Sequence, residues 1–73
     1  MEPYKNLHGN SGVSSYEIGE DKITVQFTDG TVYLYTYESA GSTHIEKMKA
    51  LALSGRGLNS FINTTVKKRY DPS

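Results

Sequence analysis

The residues able to do chemistry are few. The 73-residue chain has two histidines, His8 and His44, and they stand 36 positions apart. Neither has a second ligand at helical spacing, and cysteine is absent, so no metal site and no thiolate nucleophile is expected. Serines accompany His44, but no nucleophile elbow or triad context surrounds them. The run Gly55-Arg56-Gly57 invites comparison with phosphate-binding loops. It lacks the Walker pattern and a preceding strand and reads first as a turn between helices. Amides opening a helix after Gly57, beside Arg56, would still suit a phosphate. One constellation remains, basic and aromatic together. Arg56, Lys67, Lys68 and Arg69 offer phosphate contacts. Tyr70 offers a ring for an unpaired base, as do Tyr33, Tyr35 and Tyr37 if they are exposed. No catalytic residue and no cofactor is expected.

Charge supports that constellation. Net charge is zero, but its distribution is uneven. Residues 1–40 hold Lys5 and Lys22 against Glu2, Glu17, Glu20, Asp21, Asp29 and Glu38, a balance of −4. Residues 41–73 hold Lys47, Lys49, Arg56, Lys67, Lys68 and Arg69 against Glu46 and Asp71, a balance of +4. Such a split can mark a polyanion-binding face, and it can equally be solvated cations on helices and a tail. The absence of cysteine, and of an apolar leader over residues 1–12, leads us to expect a cytoplasmic protein. No apolar run approaches the roughly 20 residues that span a bilayer, so no membrane partner is expected.

These residues must be positioned by a small set of elements. Residues 1–12 are polar, without hydrophobic period, and predict a loose arm. Val13, Tyr16 and Ile18 suggest a first strand, and Gly19-Glu20-Asp21 supplies turn chemistry. Residues 22–28 alternate cleanly, with Ile23, Val25 and Phe27 on one side and Thr24 and Gln26 on the other. Asp29-Gly30 is a strong hairpin signal, and residues 31–37 form the return strand. Thr43 and Glu46 have capping-box spacing. Ile45, Met48, Leu51 and Ala52 then share one stripe of a helix stopped by Gly55. Leu58, Phe61, Ile62 and Thr65 repeat at helical spacing and predict a second short helix over residues 58–66.

The hairpin turn has two readings that place the tyrosines on opposite faces. A two-residue loop at Asp29-Gly30 sets Val25 opposite Leu34 and puts Tyr33, Tyr35 and Tyr37 on the face of Thr24 and Gln26, an aromatic platform. A three-residue loop, Thr28-Asp29-Gly30 with Gly30 left-handed, sets Val25 opposite Tyr33 and Ile23 opposite Tyr35. The tyrosines then join the core. Both loops are common, and a slip of one residue flips every side chain.

The order of features, an Ile-x-Val-x-Phe strand, a Gly turn, Tyr33-Leu34-Tyr35, a helix, then Ser54-Gly55-Arg56-Gly57-Leu58-Asn59-Ser60-Phe61-Ile62, resembles the KTSC domain. That small domain occurs alone in bacterial proteins and at the C-terminus of some lysyl-tRNA synthetases. The resemblance covers residues 13–70. It implies a small binding module, and the synthetase fusion suggests RNA. Its relatives often carry a charged residue between the two tyrosines, which implies that the tyrosines face inward and favours the three-residue loop.

The expected fold is α+β: a three-stranded antiparallel meander followed by two short helices packed on one face. Residues 1–12 are the arm, 13–70 the domain and 71–73 a tail. The expected core is Ile18, Ile23, Val25, Phe27, Tyr33, Tyr35, Ile45, Met48, Leu51, Leu58, Phe61 and Ile62. The expected function is non-catalytic binding of RNA through Arg56, Lys67, Lys68, Arg69 and Tyr70. The alternative is a protein-interaction or oligomerisation module that uses an exposed sheet edge and an uncovered sheet face.

Overall fold

The computed structural model describes residues 1–7, 12–66 and 69–70. The chain is α+β, a four-stranded antiparallel sheet with short helices on one face. The strands are β1 (Glu2–Pro3), β2 (Val13–Ile18), β3 (Lys22–Phe27) and β4 (Val32–Thr36), and they lie in that order across the sheet. The helices are α1 (Tyr37–Ala40), α2 (Ser42–Ser54) and α3 (Leu58–Phe61), and α3 continues as a π-helical turn, Ile62–Val66.

The hairpin takes the three-residue loop. Val25 pairs with Tyr33 and Ile23 with Tyr35. Phe27 donates its N–H to the Thr31 carbonyl at 2.8 Å, and Gly30 donates to the Phe27 carbonyl at 2.9 Å. Hydrogen bonding from Thr31, first from its side chain and then from its N–H at 2.9 Å, holds the Asp29 carboxyl below its usual pKa. Gly30 sits at φ +92°, a conformation that side chains rarely adopt. This register sends Ile23, Val25 and Tyr35 into the core and leaves Thr24, Gln26, Val32 and Leu34 on the other face.

Four expectations are corrected. The sheet has a fourth strand, supplied by the segment expected to be a loose arm. Glu2 pairs with Tyr16 and Pro3 with Ser15, and Tyr4 behind them is buried. Periodicity could not show this, because a two-residue strand has no period. Ile18, expected in the core, is 38% exposed at the end of β2. Tyr16 takes its place, because a bulge between Val13 and Ser15 lets both Val13 and Tyr16 point inward. The capping box falls at Thr36, not Thr43. Thr36 Oγ1 accepts the Ser39 N–H and Ser39 Oγ accepts the Thr36 N–H, so the strand ends there and Tyr37 opens α1. Glu46, expected in the other box, accepts instead from the Tyr37 hydroxyl at 2.6 Å and pairs with Lys49 at 2.8 Å. Lastly, the helical repeat expected to run through Thr65 widens into a π turn, and Val66, absent from the expected core, is buried.

Ile45, Met48 and Ala52 of α2, with Leu58, Ile62 and Val66, close over the covered sheet face. Each fully buried Ile, Leu or Met contributes about 1.5–3 kcal/mol. Gly55 ends α2 in the left-handed conformation, as expected, and its N–H bonds the Leu51 carbonyl. Among the described residues no helix is long and apolar enough to cross a membrane.

Candidate interaction surface

Of the five residues expected to bind RNA, the structure describes Arg56, Arg69 and Tyr70. Lys67 and Lys68 lie outside the described residues. Tyr70 is half-buried, and its ring stands 4.5 Å from that of Tyr33 and 6.3 Å from that of Tyr35. With Phe27, 5.7 Å from Tyr33, these rings form an aromatic cluster under the hairpin. The Tyr70 ring therefore packs on its own fold and is not a free base platform. Burial, followed by the neighbouring Tyr33 and Tyr70 hydroxyls, pushes the Tyr35 pKa up to about 12.

Arg56 and Arg69 are exposed, and neither is in an ion pair among the described residues. Arg56 lies between Gly55 and Gly57, both left-handed. Here the N-terminal segment adds a cation that sequence reasoning missed. Lys5 crosses Gly55 so closely that a Cβ at Gly55 would sit 2.7 Å from Lys5 Cβ, and Leu7 donates its N–H to the Gly55 carbonyl at 2.8 Å. The phosphate cradle considered after Gly57 is filled from within: the Leu58 N–H donates to the Tyr4 hydroxyl at 3.2 Å.

His44 is half-buried, and its Nδ1 donates to the Ala40 carbonyl at 2.7 Å while its ring meets Phe61 edge-on at 6.0 Å. Both contacts are structural. Among the described residues no group of three or more His, Cys, Asp or Glu converges on a metal-sized site.

The remaining surface is the sheet itself, and its two edges differ. The β1 edge is two residues long and carries Glu2 and Pro3, features that natural sheets use to blunt an edge. The β4 edge is five residues long and holds no charge, no proline and no bulge. In its ladder the residues that exchange bonds with β3 are Thr31, Tyr33 and Tyr35. That parity is fixed by Phe27 N–H to Thr31 at one end and Tyr37 N–H to Asp21 at the other. The alternate residues, Val32, Leu34 and Thr36, therefore turn their N–H and C=O groups outward. Thr36 meets its outward needs locally through Ser39. Val32 and Leu34 make no hydrogen bond outward among the described residues. Their side chains lie on the uncovered face beside Thr24 and Gln26, and Val32 is 50% exposed.

Comparison of the chain with family models, with curated proteins and with solved structures gives no match.

Proposed function

We propose that the protein is a non-catalytic binding module that takes a partner strand at the β4 edge. The observation that carries this is the unguarded edge, where Val32 and Leu34 offer two donors and two acceptors beside an apolar patch. Such an edge adds an extended segment through main-chain bonds, and the side chains at alternate positions supply selectivity. The KTSC resemblance belongs to the same proposal, since its Tyr-x-Tyr falls on Tyr33 and Tyr35, whose backbones tie β4 to β3 and leave the outer edge open. Action in the cytoplasm fits the absence of cysteine. The test is a titration of the labelled chain with a peptide of the sequence Thr-Val-Tyr-Leu-Tyr-Thr, followed by amide NMR. The Val32 and Leu34 amides should shift first and become protected from exchange. Unchanged Val32 and Leu34 amides at saturating peptide overturn the proposal.

A second reading, RNA binding, is favoured by the placement of Lys5 over Gly55 beside Arg56. Lys5, Arg56 and Arg69, with Lys67 and Lys68, would supply the phosphate contacts, and affinity would fall steeply with salt. Lys67/Lys68/Arg69→Ala should weaken binding several-fold. Affinity for single-stranded RNA equal to that of a neutral control protein at low salt excludes this reading.

A further inference from the structure

The β4 edge is complementary to itself, and we propose that its occupant is the β4 strand of a second copy of this chain, paired antiparallel about a two-fold axis at Tyr33. This inference rests on the edge-binding proposal and adds the partner and the register.

The register follows from which backbone groups are open. Among the described residues, Val32 and Leu34 are the β4 residues whose outward N–H and C=O groups have no partner, because the outward groups of Thr36 are bonded to Ser39. An antiparallel pair centred on Tyr33 sets Val32 opposite the Leu34 of the other copy, and Leu34 opposite its Val32. Both are hydrogen-bonded positions, so every open donor on each edge meets an open acceptor on the other. A pair centred on Leu34 would set Val32 against Thr36, whose groups are taken. The strand's own chemistry thus selects one register.

Side chains agree with this. In a symmetric antiparallel pair a charge near the axis meets its own copy, and like charges directly opposite are destabilising. β4 carries no charge, and its neighbours on the uncovered face, Thr24 and Gln26, are neutral. The axis would join the half-exposed Val32 and the Leu34 of both copies into one aliphatic patch on the uncovered face. The other edge, with Glu2 and Pro3, has neither property.

Cysteine cross-linking tests the register, since the natural chain has no cysteine. Val32→Cys and Leu34→Cys chains are prepared separately, then oxidised alone and as an equimolar mixture. Opposed residues at a hydrogen-bonded position have Cα atoms about 5.5 Å apart, within disulfide reach, whereas Val32 to Val32 and Leu34 to Leu34 are diagonal, at about 7–8 Å. The mixture should cross-link at least ten-fold faster than either chain alone. Equal rates overturn the register. Sedimentation of the natural chain from micromolar to millimolar concentration should show a dimer that Val32→Lys abolishes, with the far-UV circular dichroism unchanged. A single-chain mass throughout overturns the second-copy occupant. If the peptide of β4 sequence still shifts the Val32 and Leu34 amides of that monomer, edge binding stands and only the identity of the partner fails. If the peptide is also without effect, both fail.

Discussion

Tyr4→Phe isolates one bond between the N-terminal segment and the start of α3. The Leu58 N–H belongs to the first turn of that helix, where amides lack an intrahelical partner. Gly57 before it has no side chain to cap with, and the acceptor comes from Tyr4, 54 residues away, at 3.2 Å. Leu58 is 0% exposed, so water cannot replace the hydroxyl. Phenylalanine keeps the ring and its packing and removes only the acceptor. Leaving a buried donor unpaired costs about 1–3 kcal/mol, and a bond at the long end of the usual range belongs in the lower half, about 1–2 kcal/mol. In a domain of this size each kcal/mol moves Tm by about 4–8 °C, so Tyr4→Phe should lower it by about 5–15 °C. Thermal unfolding followed by circular dichroism measures this, and Tyr4→Ala, which also empties the ring site, should cost about 3–5 kcal/mol. A Tyr4→Phe Tm within about 2 °C of the natural chain refutes the reasoning, because that is under half the smallest expected shift.

Single positions carry four further outcomes. Gly30→Ala should cost about 1–2 kcal/mol, for left-handed backbone alone, since a Cβ there meets nothing within 4 Å. Gly55→Ala should cost more when the two variants are compared by urea titration, because the new Cβ also displaces Lys5. Thr36→Ala should cost about 0.5–2 kcal/mol by loss of its cap, while Thr43→Ala, at an exposed position without a cap bond, should stay within about 0.5 kcal/mol. The Tyr35 pKa is raised from 10.0 to about 12 by burial, then by Tyr33 and Tyr70. Below pH 10 both states keep that proton, and between about 10 and about 12 the unfolded chain releases it while the folded chain does not. Stability should therefore fall through that window, and Tyr35→Phe should flatten the fall. A Tyr35 that titrates with the exposed tyrosines in tyrosinate absorbance would refute it.

The parts legible in the sequence are those whose cause is local. The alternation of Ile23, Val25 and Phe27 needs only the pleat, the stripe of Ile45, Met48 and Ala52 needs only the helical repeat, and Gly55 needs only a left-handed stop. What was hidden depends on residues distant in the chain. Tyr4 reads as part of a loose arm until Leu58 gives its hydroxyl a donor, and Lys5 is an arm cation until Gly55 passes beneath it. Thr43, with Glu46 three residues on, has the capping-box spacing, yet the box forms at Thr36, where β4 ends opposite Lys22, the first residue of β3.

The hairpin loop connects this to function. One extra loop residue turns Tyr33 and Tyr35 into the core, where with Phe27 and Tyr70 they hold the sheet's covered face. The same extra residue turns Val32 and Leu34 onto the uncovered face. A register that had exposed the tyrosines would have given an aromatic platform suited to bases. The observed register instead leaves a short, neutral, aliphatic edge, and such an edge is matched by main-chain donors and acceptors, not by phosphates. Binding through β4 and binding through the cations near Arg56 are thus separable by salt: strand addition should persist at ionic strengths that abolish any phosphate contact.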